Sequence, residues 1–376
     1  MTLALAIHRP SARLPLLSQA VRHFGPNWFA ATMGTGVVAL ILGHFSALPL
    51  FYEAGRLLWL LNMGLFALFS ALYLAHWLLH RETARSIASH PVLSMALGTI
   101  PMGLATIGNG FVLFGPEVFG PVAIGIAHSI WWIDCALSLA CGLGVPLLMM
   151  TRQTHSHAQM TGAWLLPLVA AEVAAVSGML LAGHVPLADQ SGVLLASLVL
   201  WACSVPLALG LVALLMVRMI IHGLPPASVA ASCWLALGPI GTGALGMVLF
   251  SQIAPGALAD GALAPLAPAL AGASLLLGTL LWGYGLWWVG LATLITARYF
   301  AAPVPFNLGW WAYVFPLGVF ALATLALANS WGSRTLHMLG LVLVMALLGS
   351  WLAVALRTIA ATINGSLFAP AVPSEN

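Results

Sequence analysis

Ten apolar stretches, each about the length of a bilayer crossing, follow one another along this chain with almost no charge inside them. A helix needs roughly 20 apolar residues to cross the hydrocarbon core. The stretches predict helices over 27–48, 57–79, 92–114, 122–150, 162–181, 193–221, 233–253, 266–296, 308–327 and 336–363. The sequence left over has no room for a soluble catalytic domain. The pattern predicts an all-α membrane protein with one ten-helix domain over 26–364, preceded by a tail of 1–25 and followed by a tail of 365–376.

Two patterns recur within the spans. Each odd-numbered span carries a proline near or inside it, Pro26, Pro101, Pro167, Pro239 and Pro316, at separations of 75, 66, 72 and 77 residues. That is a hairpin-sized period, so ten spans read as five helical hairpins. A proline inside a helix removes one backbone hydrogen bond and kinks it. Membrane helices tolerate this best where neighbours or a water-lined cavity satisfy the freed carbonyl. Kinks at Pro101, Pro167, Pro239 and Pro316 are therefore predicted, in helices that surround something. Small residues recur at i, i+4, i+7 and i+11: Thr32, Gly36, Ala39 and Gly43 in span one, Thr99, Gly103, Thr106 and Gly110 in span three, and Ala171, Ala175, Gly178 and Ala182 in span five. Such spacing lines up one narrow helix face. It serves either close small-xxx-small packing or the wall of a pore, and span two has a comparable face at Gly64, Ala67, Ala71 and Ala75.

Composition agrees with the pattern. The chain is 62% apolar and 5% charged, with mean hydropathy +1.05, outside the range of water-soluble globular proteins. If the spans alternate, Arg9, Arg13, Arg22, Arg81, Arg85, Arg152, Arg218, Arg298 and Arg357 fall on one side, nine of the 11 basic residues. Arg56 and Arg334 fall on the other, with Glu53, Glu117, Asp189 and Asp260. The positive-inside rule then puts both termini in the cytoplasm of a plasma (inner) membrane protein. Leu3 to Ile7 come before the first arginine, so the N-terminus reads as a short interfacial tail rather than a cleavable signal. The net charge of +3 reflects the arginines and implies no nucleic-acid partner.

Few residues suggest chemistry. Asp134 and Glu172 lie near mid-membrane depth, where a carboxyl is expensive and by default functional. Each reads either as a carrier of protons or as a hydrogen-bonded pin between helices, with His128 or a neighbouring hydroxyl as the partner expected for Asp134. Glu172 lies about 90° around its helix from the centre of the small-residue stripe, at the flank of a pore or at a helix contact. Most of the 12 histidines lie in tails or at span ends, unlike the facing ligands of a haem-bearing redox subunit. The His155-x-His157 pair is too sparse for a metal site, and the cysteines Cys135, Cys141, Cys203 and Cys233 lack paired spacing. No phosphate loop, nucleophile elbow or HExxH is present, so neither cofactor, metal nor enzymatic activity is expected. Trp28, Trp59, Trp77, Trp164, Trp310 and Trp311 read as interfacial belts, and Trp282, Trp287 and Trp288 as packing.

Five of these segments, in order, carry a resemblance. They are Pro26-Asn27-Trp28-Phe29 running into Met33-Gly34-Thr35-Gly36, His90-Pro91 before Pro101-Met102-Gly103, Leu166-Pro167 with Ser177-Gly178, Gly238-Pro239-Ile240-Gly241, and Trp310-Trp311-Ala312-Tyr313-Val314-Phe315-Pro316-Leu317-Gly318. Together they resemble the tellurite-resistance/dicarboxylate transporter family, which includes malate permeases, sulfite efflux pumps and slow anion channels. The resemblance implies five hairpins around a fivefold pseudo-axis, odd helices inside and even helices outside. It implies a central anion pore through each protomer of a homotrimer in the lipid bilayer, with Phe315 obstructing that pore. The path for a small anionic substrate would pass the hydroxyls of Thr35, Thr99, Thr106 and Thr242 and the glycines Gly36, Gly103, Gly178 and Gly241. Arg298 and Arg357 would draw anions inward. Malate-like C4-dicarboxylates are the first reading of the substrate, and sulfite or another small inorganic anion is the second.

The nine-to-two arginine split predicts that a reporter active only outside the cytoplasm, fused after Asn376, is silent. Activity there would overturn the topology and the pairing of spans into five hairpins.

Overall fold

The structure, a computed structural model, describes residues 16–368; Arg9, Arg13 and most of each predicted tail lie outside the described residues. Ten helices are long and apolar enough to cross a membrane: α1 (Pro26–His44), α2 (Pro49–Leu79), α3 (Met95–Leu113), α4 (Val122–Thr151), α5 (Gly162–Ala182), α6 (Leu187–His222), α7 (Ala227–Ala257), α8 (Ala264–Tyr299), α9 (Leu308–Trp331) and α10 (Arg334–Ile363). Among the described residues there is no strand. The helix at Pro49 starts earlier than hydropathy suggests. Arg56 pairs with Glu53 one turn away at 2.5 Å and with Glu117 at 3.7 Å, so the helix runs on through residues whose charges are already compensated.

Burial separates the helices into two sets. In the apolar stretch of each odd helix 78–94% of residues are buried, against 17–33% in the even ones. The odd helices contact one another in a closed cycle: α1 on α3, α3 on α5, α5 on α7, α7 on α9, and α9 back on α1. Each even helix packs on its own hairpin partner and on the next inner helix, α2 on α1 and α3 through to α10 on α9 and α1. The result is an inner ring of five and an outer ring of five.

In lipid, helices gain nothing by hiding apolar surface from one another, so close packing and hydrogen bonds hold such rings. One tryptophan on every outer helix donates its indole N–H to the inner helix of the following hairpin. Trp59 reaches Ile107 O at 3.2 Å, Trp131 reaches Ala174 O at 2.9 Å, and Trp201 reaches Gly243 O at 3.1 Å. Trp282 reaches Thr324 Oγ1 at 2.9 Å, and Trp351 returns to Thr35 Oγ1 of α1 at 3.2 Å. These bonds overturn part of the interfacial-belt expectation: Trp59 is buried, as are Trp28, Trp310 and Trp311. Trp28 stacks on Phe368 at 5.2 Å, which brings both described ends of the chain to one end of the bundle. Trp288 packs as expected, donating to Cys233 O at 2.9 Å, but Trp287 points outward and is 53% exposed.

The glycines of the odd stripes serve this packing rather than a pore wall. A Cβ at Gly178 would stand 2.6 Å from the Trp131 ring, and one at Gly36 would collide with Thr106. Gly103 makes room for Thr32 and Phe66, and Gly241 for the backbone of Phe320. The four glycines expected along the substrate path thus each face a neighbouring helix. The prolines expected as kinks stand near helix starts. Pro167 and Pro316 stand in the first turn of their α-helical segments, Leu166–Ala182 and Phe315–Trp331, and Pro101 and Pro239 are third in Thr99–Leu113 and Leu237–Ala257. There the missing N–H has no helical partner to lose. The prolines inside helices are Pro146 of α4, Pro206 of α6 and Pro255 near the end of α7.

Replacing Trp59 by Ala removes a buried ring and its hydrogen bond together, and is expected to cost about 3–5 kcal/mol. Trp287→Ala, on the outward face, is expected to leave stability unchanged. Thermal unfolding of the two variants in detergent checks the contrast; equal losses would overturn the role given to Trp59.

Candidate functional site

The inner helices share a second feature: each begins as a 3-10 turn and then relaxes into an α-helix. The turns are Pro26–Trp28, Met95–Gly98, Gly162–Leu165, Ala227–Trp234 and Leu308–Tyr313. All five lie at the end of the bundle where Trp28 meets Phe368, and all five line one cavity of about 760 Å³, through Asn27, Ala96, Ala163, Ser232 and Gly309 among others. A helix start carries unpaired N–H groups and about half a positive charge. Thr161 and Asn307 cap two of the turns with their own side chains, accepting from Ala163 N and Gly309 N. The other three starts have no side-chain cap.

Among the described residues, the titratable ones lining this vestibule are His155, Arg218 and His222, and none is acidic. Arg218, in the last turns of α6, is only 5% exposed. Its Nε and Nη2 donate to Ala158 O and its Nη1 donates to Gly223 O at 2.7 Å. Gly223 has φ +70°, a left-handed conformation that suits glycine and turns the chain at the end of α6. His222 Nε2 lies 3.2 Å from His157 Nδ1, and His155 bonds Gln153 Oε1 at 2.9 Å. Arg298 and Arg357 do not line the vestibule: both are exposed, and Arg357 stacks over Trp310 at 4.8 Å. At this end no described arginine pairs with a carboxylate, since the ion pairs among the described residues are those of Arg56.

The inner end of the vestibule is reached at Met33, Thr99, Leu166, Leu235 and Ala312. Phe315 follows Ala312 by three residues, nearly one turn deeper on the same helix face, and is 3% exposed. One turn below Met33, Val37 packs against Gly318. The apolar layer beneath the cavity is thus built from the turns that follow the 3-10 starts.

A funnel of helix starts with the unpaired Arg218 in its wall is a site suited to anions. The family profile described as the voltage-dependent anion channel, SLAC1, matches residues 23–359. The chain belongs to the SLAC1 family. It is 34% identical over 355 residues to the sulfite efflux pump SSU1 of Arthroderma benhamiae, covering 93% of both chains. It is 27% identical to an uncharacterized transporter of Methanocaldococcus jannaschii, over 93% of this chain and 97% of the other. To the malic acid transport protein of Schizosaccharomyces pombe it is 22% identical, over 89% of this chain and 78% of the other.

Within this SLAC1 family member the expected path residues separate. Thr99 lines the vestibule, with its hydroxyl 2.9 Å from Pro26 O. Thr35 accepts from Trp351 and Thr106 accepts from Asn62 Nδ2 at 3.2 Å, so both hydroxyls are committed to outer helices. Thr242 is buried and its hydroxyl has no partner among the described residues. Glu172 is fully buried against α6, with Oε2 3.4 Å from Ser204 Oγ, which itself donates to Leu168 O at 2.7 Å. That is a helix contact, while Oε1 has no partner among the described residues. Asp134 hydrogen-bonds neither His128 nor a hydroxyl; His128 instead accepts from Trp132 Nε1 at 3.1 Å. Both Asp134 oxygens are buried beside a cavity of about 10 Å³ shared with Asn109 and Ser177, which holds no more than one water. Arg218 was legible only as one more loop-side charge, and a buried position two turns or less from a helix end was the signal available.

Glu172→Gln keeps the size of the side chain and the bond to Ser204. It is expected to leave anion flux in proteoliposomes, and any response of that flux to a pH gradient, as in the parent. Loss of the gradient response alone would restore the proton-carrying role.

Proposed function

We propose that this protein carries sulfite out of the cell through a path in each protomer. The observation that carries this reading is the 34% identity to a sulfite efflux pump over 93% of both chains. The vestibule supports it physically. Charged walls of one sign concentrate counter-ions and speed their capture, and here the walls combine Arg218 with five helix starts and no acid. Transport requires no bond to be made or broken, so the protein acts without catalysis or cofactor. The arginine-rich end faces the cytoplasm of the plasma membrane, which makes the vestibule the entry for an exported anion. Assembly as a homotrimer, through the outward faces of even helices, belongs to the same reading.

Phe315 is the constriction. The reading is supported by its place in the chain, buried three residues after Ala312, which lines the vestibule, and by the way hydrophobic constrictions gate, excluding water and ions. C4-dicarboxylates are the second reading, supported by the 22% identity to a malic acid transport protein. The two are separated by size: malate is the larger, while sulfite can also pass as the singly charged hydrogensulfite, which is less costly to bring past an apolar ring.

Proteoliposomes loaded with sulfite or with malate, at equal concentration, are expected to release sulfite faster. Faster malate release would reverse the order of the two readings, and no release of either would defeat anion transport. In the same assay Phe315→Ala is expected to raise flux severalfold while the protein remains folded. A folded variant with unchanged or lower flux would show that the ring only packs.

A further inference from the structure

Arg218 is a cation almost wholly withdrawn from solvent, and no carboxylate among the described residues balances it. An isolated buried charge is costly and needs a partner. The carbonyls of Ala158 and Gly223 supply part of what is missing, but they carry no net charge. A guanidinium has five N–H donors. Nε, Nη1 and Nη2 each commit one to these carbonyls, so one hydrogen remains on each terminal nitrogen. Neither of these two has a partner among the described residues, and two free donors on one guanidinium can take two oxygens of one oxyanion. The side chain lines the vestibule with His155 and His222, and the carbonyl bonds hold it in place before any ligand arrives.

We infer that Arg218 is the entry binding site for the transported anion, holding a small oxyanion by a bidentate contact at the mouth of the path. This rests on the anion-transport reading and adds where the anion first binds and how. The anion completes the charge balance that the protein leaves open. Release toward Phe315 is possible because the helix starts beyond offer further partial positive charge. His155 and His222 line the same cavity, and among the described residues no acid there competes with the ligand.

The test uses sulfite with the full-length protein and three variants, Arg218→Met, Arg218→Lys and the exposed-site control Arg298→Met. Loss of a charge-assisted hydrogen-bond pair is expected to raise the half-saturating sulfite concentration for flux about tenfold or more in Arg218→Met. Arg218→Lys keeps the charge but not the fork and is expected to fall between, while Arg298→Met matches the parent. In detergent, sulfite is expected to raise the unfolding temperature of the parent over chloride at equal ionic strength, and to lose that effect in Arg218→Met. A clamp that merely ties α6 to the preceding loop predicts a lower maximal rate with an unchanged half-saturating concentration, and that result overturns the inference. If Arg218→Met fails to fold, Arg218→Lys decides by the same criterion. Sulfite binding to the parent protein in detergent, read by titration calorimetry against chloride at equal ionic strength, decides without any variant; no binding overturns the site. Sulfite stabilisation that depends on Arg218, without flux, sinks the transport reading and keeps the site. Flux with parental half-saturation in Arg218→Met does the reverse.

Discussion

A helix surrounded by lipid has no solvent-driven reason to prefer another helix, so a ring of helices needs specific contacts to close. Here one contact is repeated five times: an indole N–H on an outer helix donates forward to the inner helix of the next hairpin. The acceptors are backbone carbonyls in three cases and threonine hydroxyls in two. The glycines beside several of them, Gly110 at Trp59, Gly178 at Trp131 and Gly246 at Trp201, make room for the rings. Everything the vestibule does depends on this, because the five helix starts converge only when the inner ring is closed.

Convergence is also what makes the site electrostatic rather than merely concave. A single helix start is a weak attractor, and its partial charge falls off within a turn. Five around one cavity, with Arg218 in its wall and no acid there among the described residues, add partial charges of one sign. At the opposite end Arg56 is neutralised by Glu53 and Glu117. The two ends of the molecule therefore differ in kind. At one an arginine is paired with carboxylates, and at the other Arg218 is left without one among the described residues.

Much of this fold is written plainly in the sequence. Hydropathy finds all ten spans, since charges are excluded from the hydrocarbon core and little else interrupts the pattern. The hairpin period of Pro26, Pro101, Pro167, Pro239 and Pro316 stands at the helix starts: Pro26 opens its 3-10 turn, and the other four lie in the first α-helical turn after theirs. The small-residue stripes were legible as stripes, and spacing alone does not say whether a narrow face meets a helix or a pore. For Gly36, Gly103, Gly178 and Gly241 it meets a neighbour. Trp201 and Trp351 gave no local signal, because an apolar helix hides an indole among other apolar residues; only comparison across the five hairpins exposes their period. Arg218 was counted with the loops, since a charge near a helix end looks the same in sequence whether it points to water or into a cavity. Thr99 alone among the expected hydroxyls lines the vestibule.

The forward reach of the tryptophans has a consequence for how the molecule is made. Each hairpin is fastened by the one before it, and the first is fastened by the last: Trp351 and Thr35 are 316 residues apart. As the chain emerges from the ribosome, hairpins one to four can be joined in order, but α1 waits with its Thr35 side uncovered until α10 has entered the bilayer. The nascent bundle is an open arc, with a seam facing lipid between its first and latest hairpins. Only the final span turns that arc into a vessel with an inside.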